Sequence, residues 1–495
     1  MTQPRSRPGA LRRAAAAALA AALAGCASMA PRYETPPSPV PAAWPDGTGA
    51  DEAGAGARAA AIAWRDYFAD PVLQRLLDTA LAHNRDLRVA ALRVEEARAA
   101  FGIQRAERFP GLGLAAQGAR ARVPGDLNLS GVSAVGGEYR AEVGLSSWEL
   151  DLWGRVRSLE DAALQQWLAT DAGRRAVQLA LVAQVADGYL GLRELDERVA
   201  LARRTVDSRR ESFRIFGRRF EVGAASRLEV TQVQTLLTQA QTLLAQLEQA
   251  RASQLHALGQ LVGAHPGPLP AAAPFDETMV LAEVSPGLPS EALAARPDLL
   301  AAEHRLRAAH ADIGAARAAF FPRIALTGSW GSASAELDGL FDAGSRAWTF
   351  APTLSLPIFD GGRRRAGLDL AEVRRDIAVA EYERTVQTAF REVADALSAR
   401  RWLAEQLDVQ RTALAVQAER ARLSQLRYEN GSSAYLEVLD AQRDLLAAEQ
   451  QLVQARRALL SSQVALYAAL GGGGEDAAVA AAAGRPSPSP DDPTP

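Results

Sequence analysis

The chain has 495 residues, 48% of them hydrophobic, which is ample for one large core or several small ones. Its formal net charge is only -3 and its basic residues are dispersed, a pattern that excludes a phosphate-tracking surface and argues against nucleic acid as a partner. Every basic side chain apart from five histidines is an arginine; the absence of lysine removes Walker-type phosphate binding, Schiff-base and Ser-x-x-Lys chemistry.

The single cysteine cannot close an internal disulfide, so its position carries the information. Arg5, Arg7, Arg12 and Arg13 precede an apolar run from Ala14 to Ala24 that ends in small residues just before Cys26. That is the three-part order of a secretory signal, and the run is too short to span a bilayer. Leu23-Ala24-Gly25-Cys26 resembles the bacterial lipobox, which makes Cys26 the expected lipidation site after removal of residues 1–25. The alternative is an ordinary signal cut near Ala24 with Cys26 a spare thiol. No later run offers about 18 consecutive apolar residues, so any membrane crossing has to be made of strands. Residues 26–62, rich in Pro, Gly and Ala, read as an extended tether.

From there the chain says everything twice. NRDLRVAALRVEEARAAFGIQRAERFPGLGL, from Asn84, aligns without a gap on RPDLLAAEHRLRAAHADIGAARAAFFPRIAL, from Arg296, at an offset of 212. SWELDLWGRVR, ending at Arg157, meets LPIFDGGRRR, ending at Arg365, at an offset of 208. RFEVGAASRLEV, from Arg219, meets RYENGSSAYLEV, from Arg427, at the same 208. Gly154 to Gly223 and Gly362 to Gly431 are both 69 positions apart; Gly223 to Gly263 and Gly431 to Gly471 are both 40. Duplication accounts for this, with repeats at 63–270 and 291–472, a linker at 271–290 and a tail at 473–495 whose composition predicts disorder.

Each repeat is predicted to run helix, two strands, long helix, turn, long helix. In the first, alternation in Tyr139–Ser146 and at Leu112 and Leu114 marks two strands; in the second, Ile324, Leu326 and Trp330 mark one and Trp348–Leu356 the other. Strands of about 10 residues with one oily face suit an outer-membrane barrel, whereas a soluble hairpin packed on helices shares the alternation. Pro352 inside a strand calls for a bend or an edge. The helix before each turn would reach roughly 100 Å if unbroken, although Gly173, Gly188 and Gly191 invite a kink in the first. In the helices after the turns, Val230, Val233, Leu237, Ala240, Leu244 and Leu247, then Val438, Ala441, Leu445, Ala448, Leu452, Ala455 and Leu459, alternate steps of three and four. That spacing belongs to coiled-coil seams.

Four strands cannot close a barrel, and an open edge in lipid leaves backbone groups without partners. If the strands cross the membrane, the chain must assemble with copies of itself. The expected architecture is mainly α with a small β part: duplicated long helical hairpins continuing from the strands into a tube, with the two turns at its far end.

The doubled organisation, the lipobox, SWELDLWGR, LPIFDGGR and RYENGSSAYLEVLDAQR together resemble the TolC-like outer-membrane factors, in particular the lipoprotein branch of OprM and the NodT-type efflux subunits. The likeness covers nearly everything from Tyr33 to Gly471. It implies a homotrimer with a shared twelve-stranded barrel in outer-membrane lipid and a periplasmic helical tunnel, a periplasmic adaptor and an inner-membrane pump of the RND type as partners, and no cofactor. By the same resemblance Leu436 and Asp440 narrow the tunnel, Glu437 falls where some members carry a second acidic ring, and Tyr428 and Glu229 tie neighbouring hairpins in a closed state. A basic residue often found two positions after the turn glycine is Ser433 here, so the resemblance does not carry that particular closing salt bridge over to this chain. Gly223 and Gly431 are expected to end their helices, and the exposed turns, including Ser226 and Ser433, to meet the adaptor. Solvated helix faces and simple capping are the plainer readings of these residues.

No catalytic constellation emerges: His83, His256, His265, His304 and His310 lack metal-ligand spacing, and Glu95-Glu96 reads as exposed helix charge. The expected function is a passive exit duct for small molecules; a type I protein-secretion duct and a lipid-anchored structural coiled coil are the alternatives.

Overall fold

The computed structural model describes residues 29–45, 57–265, 267, 269, 275–280, 284–285 and 287–473. Cys26, the signal segment and the tail from residue 474 lie outside them. Among the described residues the chain forms two compact units, one of 93–170 and 301–382 with the tether to Pro37, the other of 38–92, 171–300 and 383–473. Each unit therefore draws on both repeats.

The element order is the one the duplication predicts. After α1 (Pro71–His83) come α2 (Arg85–Ala106), β1 (Leu112–Val123), β2 (Ala134–Glu149), α3 (Arg155–Glu221) and α4 (Arg227–Val262); then α5 (Pro297–Ala318), β3 (Arg323–Ser334), β4 (Arg346–Ser355), α6 (Arg363–Glu429) and α7 (Tyr435–Ala469). No described helix is long and apolar enough to cross a membrane.

In the first unit the strands make one antiparallel sheet in the order β1-β2-β3-β4. Register shows what the alternation is for. Leu114 faces Val143, Val143 faces Trp330 and Trp330 faces Trp348; one step along, Leu112, Leu145, Gly328 and Phe350 line up likewise. Side chains two apart share a face, so these rows make one apolar surface, while Gln117, Arg140 and Glu142 belong to the other. Pro352 lies opposite Leu326 on β4, an edge of the chain's sheet, where proline is tolerated better than in a central strand. The tether keeps an extended path at Tyr33, whose hydroxyl donates to Glu303 Oε1 at 3.1 Å and whose ring lies under Arg307.

In the second unit the core gathers around aromatic residues. Tyr67 stacks on Tyr467 at 4.2 Å; the Tyr67 hydroxyl donates to Gln463 O and that of Tyr467 to Ile62 O, both at 2.8 Å. Burial pushes the Tyr67 phenol well above its ordinary pKa, so it stays a neutral donor. Trp44 of the tether stacks on Phe390 and donates Nε1–H to Gly287 O at 2.9 Å.

α3 and α6 each run 67 residues, and α3 passes through Gly173, Gly188 and Gly191 without interruption. The expected seam of α4 is buried at Val233, Leu237, Ala240 and Leu247, against Val199, Ala202, Val206 and Phe216 of α3. In α7 the seam holds at Val438, Ala441, Ala448 and Leu459, but Leu445, Leu452 and Ala455 are only half-buried, and Val453, Leu460 and Val464 take their place. A helix of 3.6 residues per turn drifts by about 20° per heptad against a strict 3.5 repeat, so over this length the pattern rotates off the contact line.

The repeat glycines close both turns and both returns. Gly154, Gly223 and Gly263, and their twins Gly362, Gly431 and Gly471, all have φ between 65° and 90°. A further pair of twins fastens the returns: Asn84 donates Nδ2–H to Leu261 O at 2.8 Å, and Arg296 donates Nη1–H to Ala469 O at 2.9 Å. These join the last turns of α4 and α7 to the starts of α2 and α5.

Candidate functional site

The site is the pair of turns and the first turns of the helices after them. α3 ends in a left-handed Gly223, with Ala224 N donating to Arg219 O at 2.7 Å; α6 ends in Gly431 in the same way, with Ser432 N donating to Arg427 O at 2.9 Å. This 6→1 bond satisfies carbonyls that the helix end would leave unpaired.

Beyond the glycines the twins diverge. In the first turn Ser226 is the N-cap of α4: its Oγ accepts from Glu229 N at 3.2 Å, and Glu229 Oε2 accepts from Ser226 N at 2.7 Å and from its hydroxyl at 2.8 Å. That reciprocal box holds the Glu229 carboxyl below its usual pKa, chiefly through the backbone N–H of Ser226. Since the folded pKa is depressed, the carboxylate's support of the cap is present above the ordinary glutamate range and is lost as pH falls through the folded value. In the second turn serine stands one position earlier. Ser433 is the twin of Ala225 and its hydroxyl is buried without a hydrogen-bond partner, while Ala434 occupies the N-cap of α7 and has no side chain to cap with. Glu437, the twin of Glu229, accepts instead from Arg427 Nη1 at 2.6 Å.

The second turn is tied to α3 through aromatic residues. Arg219 donates to the Tyr428 hydroxyl, Tyr428 lies against Tyr435 at 4.8 Å, and Tyr435 donates to Ser212 Oγ at 2.9 Å while its ring meets Phe216 at 4.4 Å. Thus Tyr428 joins the two hairpins of one chain, whereas Glu229 is engaged within its own helix. The roles of Arg219 and Arg427 were not assigned from sequence, although an arginine kept at the same place in both repeats was a usable signal.

One turn further, Leu436 and Asp440 stand four residues apart on one face of α7; Leu436 is 49% exposed. Asp440 has Arg443 at 3.4 Å, and Arg443 also meets Asp444, whose carboxyl Arg420 and Arg443 hold below the usual range. The structure thus brings Leu436, Glu437 and Asp440 onto the first turns of α7, and leaves Gly223, Ser226 and Gly431 exposed on the turns. Leu436 and Asp440 form an apolar step followed by an acidic one, with no nucleophile and base arranged for chemistry.

Comparison with known proteins accords with this arrangement. The sequence profile of the outer membrane efflux protein family matches residues 76–264 and 288–472, one match per repeat. The outer membrane protein OprJ of Pseudomonas aeruginosa is 46% identical over 472 residues, covering 93% of this chain and 96% of its own. The toluene efflux pump outer membrane protein TtgC of Pseudomonas putida is 44% identical over 453 residues, covering 91% and 93%. Among solved structures, the open state of the Neisseria gonorrhoeae MtrE outer membrane channel superposes with a TM-score of 0.83 at 39% identity, over 90% of this chain and 98% of MtrE. With both repeats matched and identity well above 30% across nearly the whole length, the chain belongs to the outer membrane efflux protein family.

Proposed function

We propose that three copies of the chain close a twelve-stranded barrel in the outer membrane and form a passive exit duct for small molecules, working with a periplasmic adaptor and an inner-membrane pump. The observation that carries this reading is the four-stranded sheet with one continuous apolar face and two edges, β1 and β4, that pair with nothing else in the described chain. Backbone groups facing lipid without partners cost several kcal/mol each, so the sheet is stable in a membrane only when other copies complete it. An unpartnered stripe on α6 supports the same assembly: Trp402, Val409, Val416 and Leu423, seven residues apart, are all exposed. Helices presenting such a stripe at heptad spacing bury it against a neighbour.

Within the duct, Leu436, Glu437 and Asp440 narrow the passage, with Tyr428 holding the closed arrangement, Glu229 bracing the first turn through its cap on Ser226, and the exposed Gly223, Ser226 and Gly431, together with the backbone at Ser433, meeting the adaptor. Cys26, outside the described residues, carries the lipid. Efflux is favoured over protein secretion because the relatives named above are efflux components and this chain matches them along nearly their entire length. The test is conductance in planar bilayers: the purified full chain is expected to give discrete current steps, and a preparation that inserts into vesicles yet never conducts at any voltage overturns the reading.

A further inference from the structure

A cavity of about 660 Å³ opens in the second unit between α3, α6, α7 and the start of α5. Half of its lining residues are alanines, among them Ala180, Ala396, Ala399, Ala465 and Ala469. The duplication supplies an internal control, because the same place in the first repeat is filled. There Gln254 lies along Gly188 and Gly191 and donates Nε2–H to Gly188 O at 2.8 Å; a methyl group on Gly188 would also find Leu261 Cδ1 at 3.7 Å. At an offset of 208 the filling residues become Ser462 and Ala469, while the glycines become Ala396 and Ala399. Ser462 turns its hydroxyl to Leu459 O at 2.7 Å, inside its own helix, and reaches nothing across the gap. Two added methyls do not replace a glutamine and a leucine side chain, so the second repeat is hollow where the first is packed.

The charges at the rim differ between the twins as well. Asp187 is held by Arg457 Nη2 at 2.9 Å, whereas its twin Asp395 has Arg391 no nearer than 3.8 Å, with both side chains 69% exposed. Asp298 and Glu392 share the Nη2 group of Arg296, each at 2.7 Å. Of the three acids lining the cavity, Asp298 and Glu392 are therefore paired through Arg296, and Asp395 has only the distant Arg391. We propose that this cavity is a binding site for a monocationic amphiphile, with the apolar body against the alanines and the cationic group toward Asp395. A volume of this size suits a small organic molecule, and the acidic rim selects a positive over a negative one. The inference stands on the cavity alone and holds whether or not the duct reading does.

Rhodamine 6G, a monocationic dye, and fluorescein, an anionic one, serve as probes, with binding to the full chain in one detergent read by fluorescence polarisation. The wild type is expected to bind the cation and not the anion. The double variant Ser462→Gln/Ala469→Leu, which installs the residues already packed at the twin position, is expected to abolish binding with helix content and particle size unchanged. Asp395→Asn is expected to weaken binding roughly fivefold, the scale of a partly exposed charge pair. Unchanged affinity in the filled variant overturns the proposal, as does a neighbouring copy's side chain occupying the cavity in the assembled particle. Should the filled variant fail to fold, equal binding of both dyes by the wild type, or an Asp395→Asn variant indistinguishable from it, overturns the proposal on its own.

Discussion

Replacing Gly263 with alanine is expected to destabilise the protein by about 2–4 kcal/mol, more than the same change at Gly223, Gly431 or Gly471. Two costs add at this position. Gly263 has φ 73°, a left-handed conformation in which a Cβ meets the following carbonyl, at about 1–2 kcal/mol. A Cβ here would also lie 2.4 Å from the carbonyl oxygen of His83 and 2.7 Å from its carbon, both backbone atoms next to the Asn84 fastening that cannot swing aside. The twins grade the effect. Gly471 has φ 75° and a Cβ there would sit 3.0 Å from Ala295 O, so its substitution is expected to cost less. Gly223 and Gly431 have nothing within 4 Å, leaving the conformational cost alone, about 1–2 kcal/mol. Thermal unfolding of the four variants in one detergent checks the order; a Gly263 variant no less stable than the Gly223 one would contradict it.

The second large effect belongs to the acidic step after the second turn. Substituting alanine at both Asp440 and Glu437 is expected to raise single-channel conductance and dye leak several-fold and to reduce preference for cations. If the first turns of α7 line the passage as proposed, symmetry multiplies each carboxylate by the number of copies, and a ring of like charges in a narrow pore attracts cations while restricting the passage. Glu437 adds a second component, because it accepts from Arg427 at 2.6 Å across the uncapped start of α7. Removing it frees that guanidinium and loosens the turn, so the double variant is expected to leak more than Asp440→Ala alone. Conductance and ion selectivity equal to wild type in the double variant would remove these residues from the constriction.

Much of the fold was legible because duplication turns one weak pattern into two that must agree. The spacings of 69 and 40 between glycines identified positions that the structure shows to be left-handed in both repeats, since only glycine accepts that backbone at no cost. Strand alternation located the sheet, although the pairing of Trp330 with Trp348 depends on register, which no single strand specifies. The α7 seam was misplaced at Leu445 and Leu452 because a heptad template ignores the drift of a straight helix over 35 residues. At the site, the position of the turns was readable and their chemistry was not. Ser226 and Ser433 look alike in sequence, yet a one-residue shift decides that the first caps α4 and the second caps nothing. The fastening of Asn84 and Arg296 to helix ends 177 and 173 residues away was invisible, because two dissimilar side chains perform one task.

Stoichiometry and closure can be read in a single cryo-microscopy reconstruction of the full chain in a lipid nanodisc. Three copies around one pore, with β1 of each chain hydrogen-bonded to β4 of the next and twelve strands closed in the bilayer, is the expected result. A solitary chain whose sheet lies outside the lipid with β1 and β4 unpaired would contradict the account at its root.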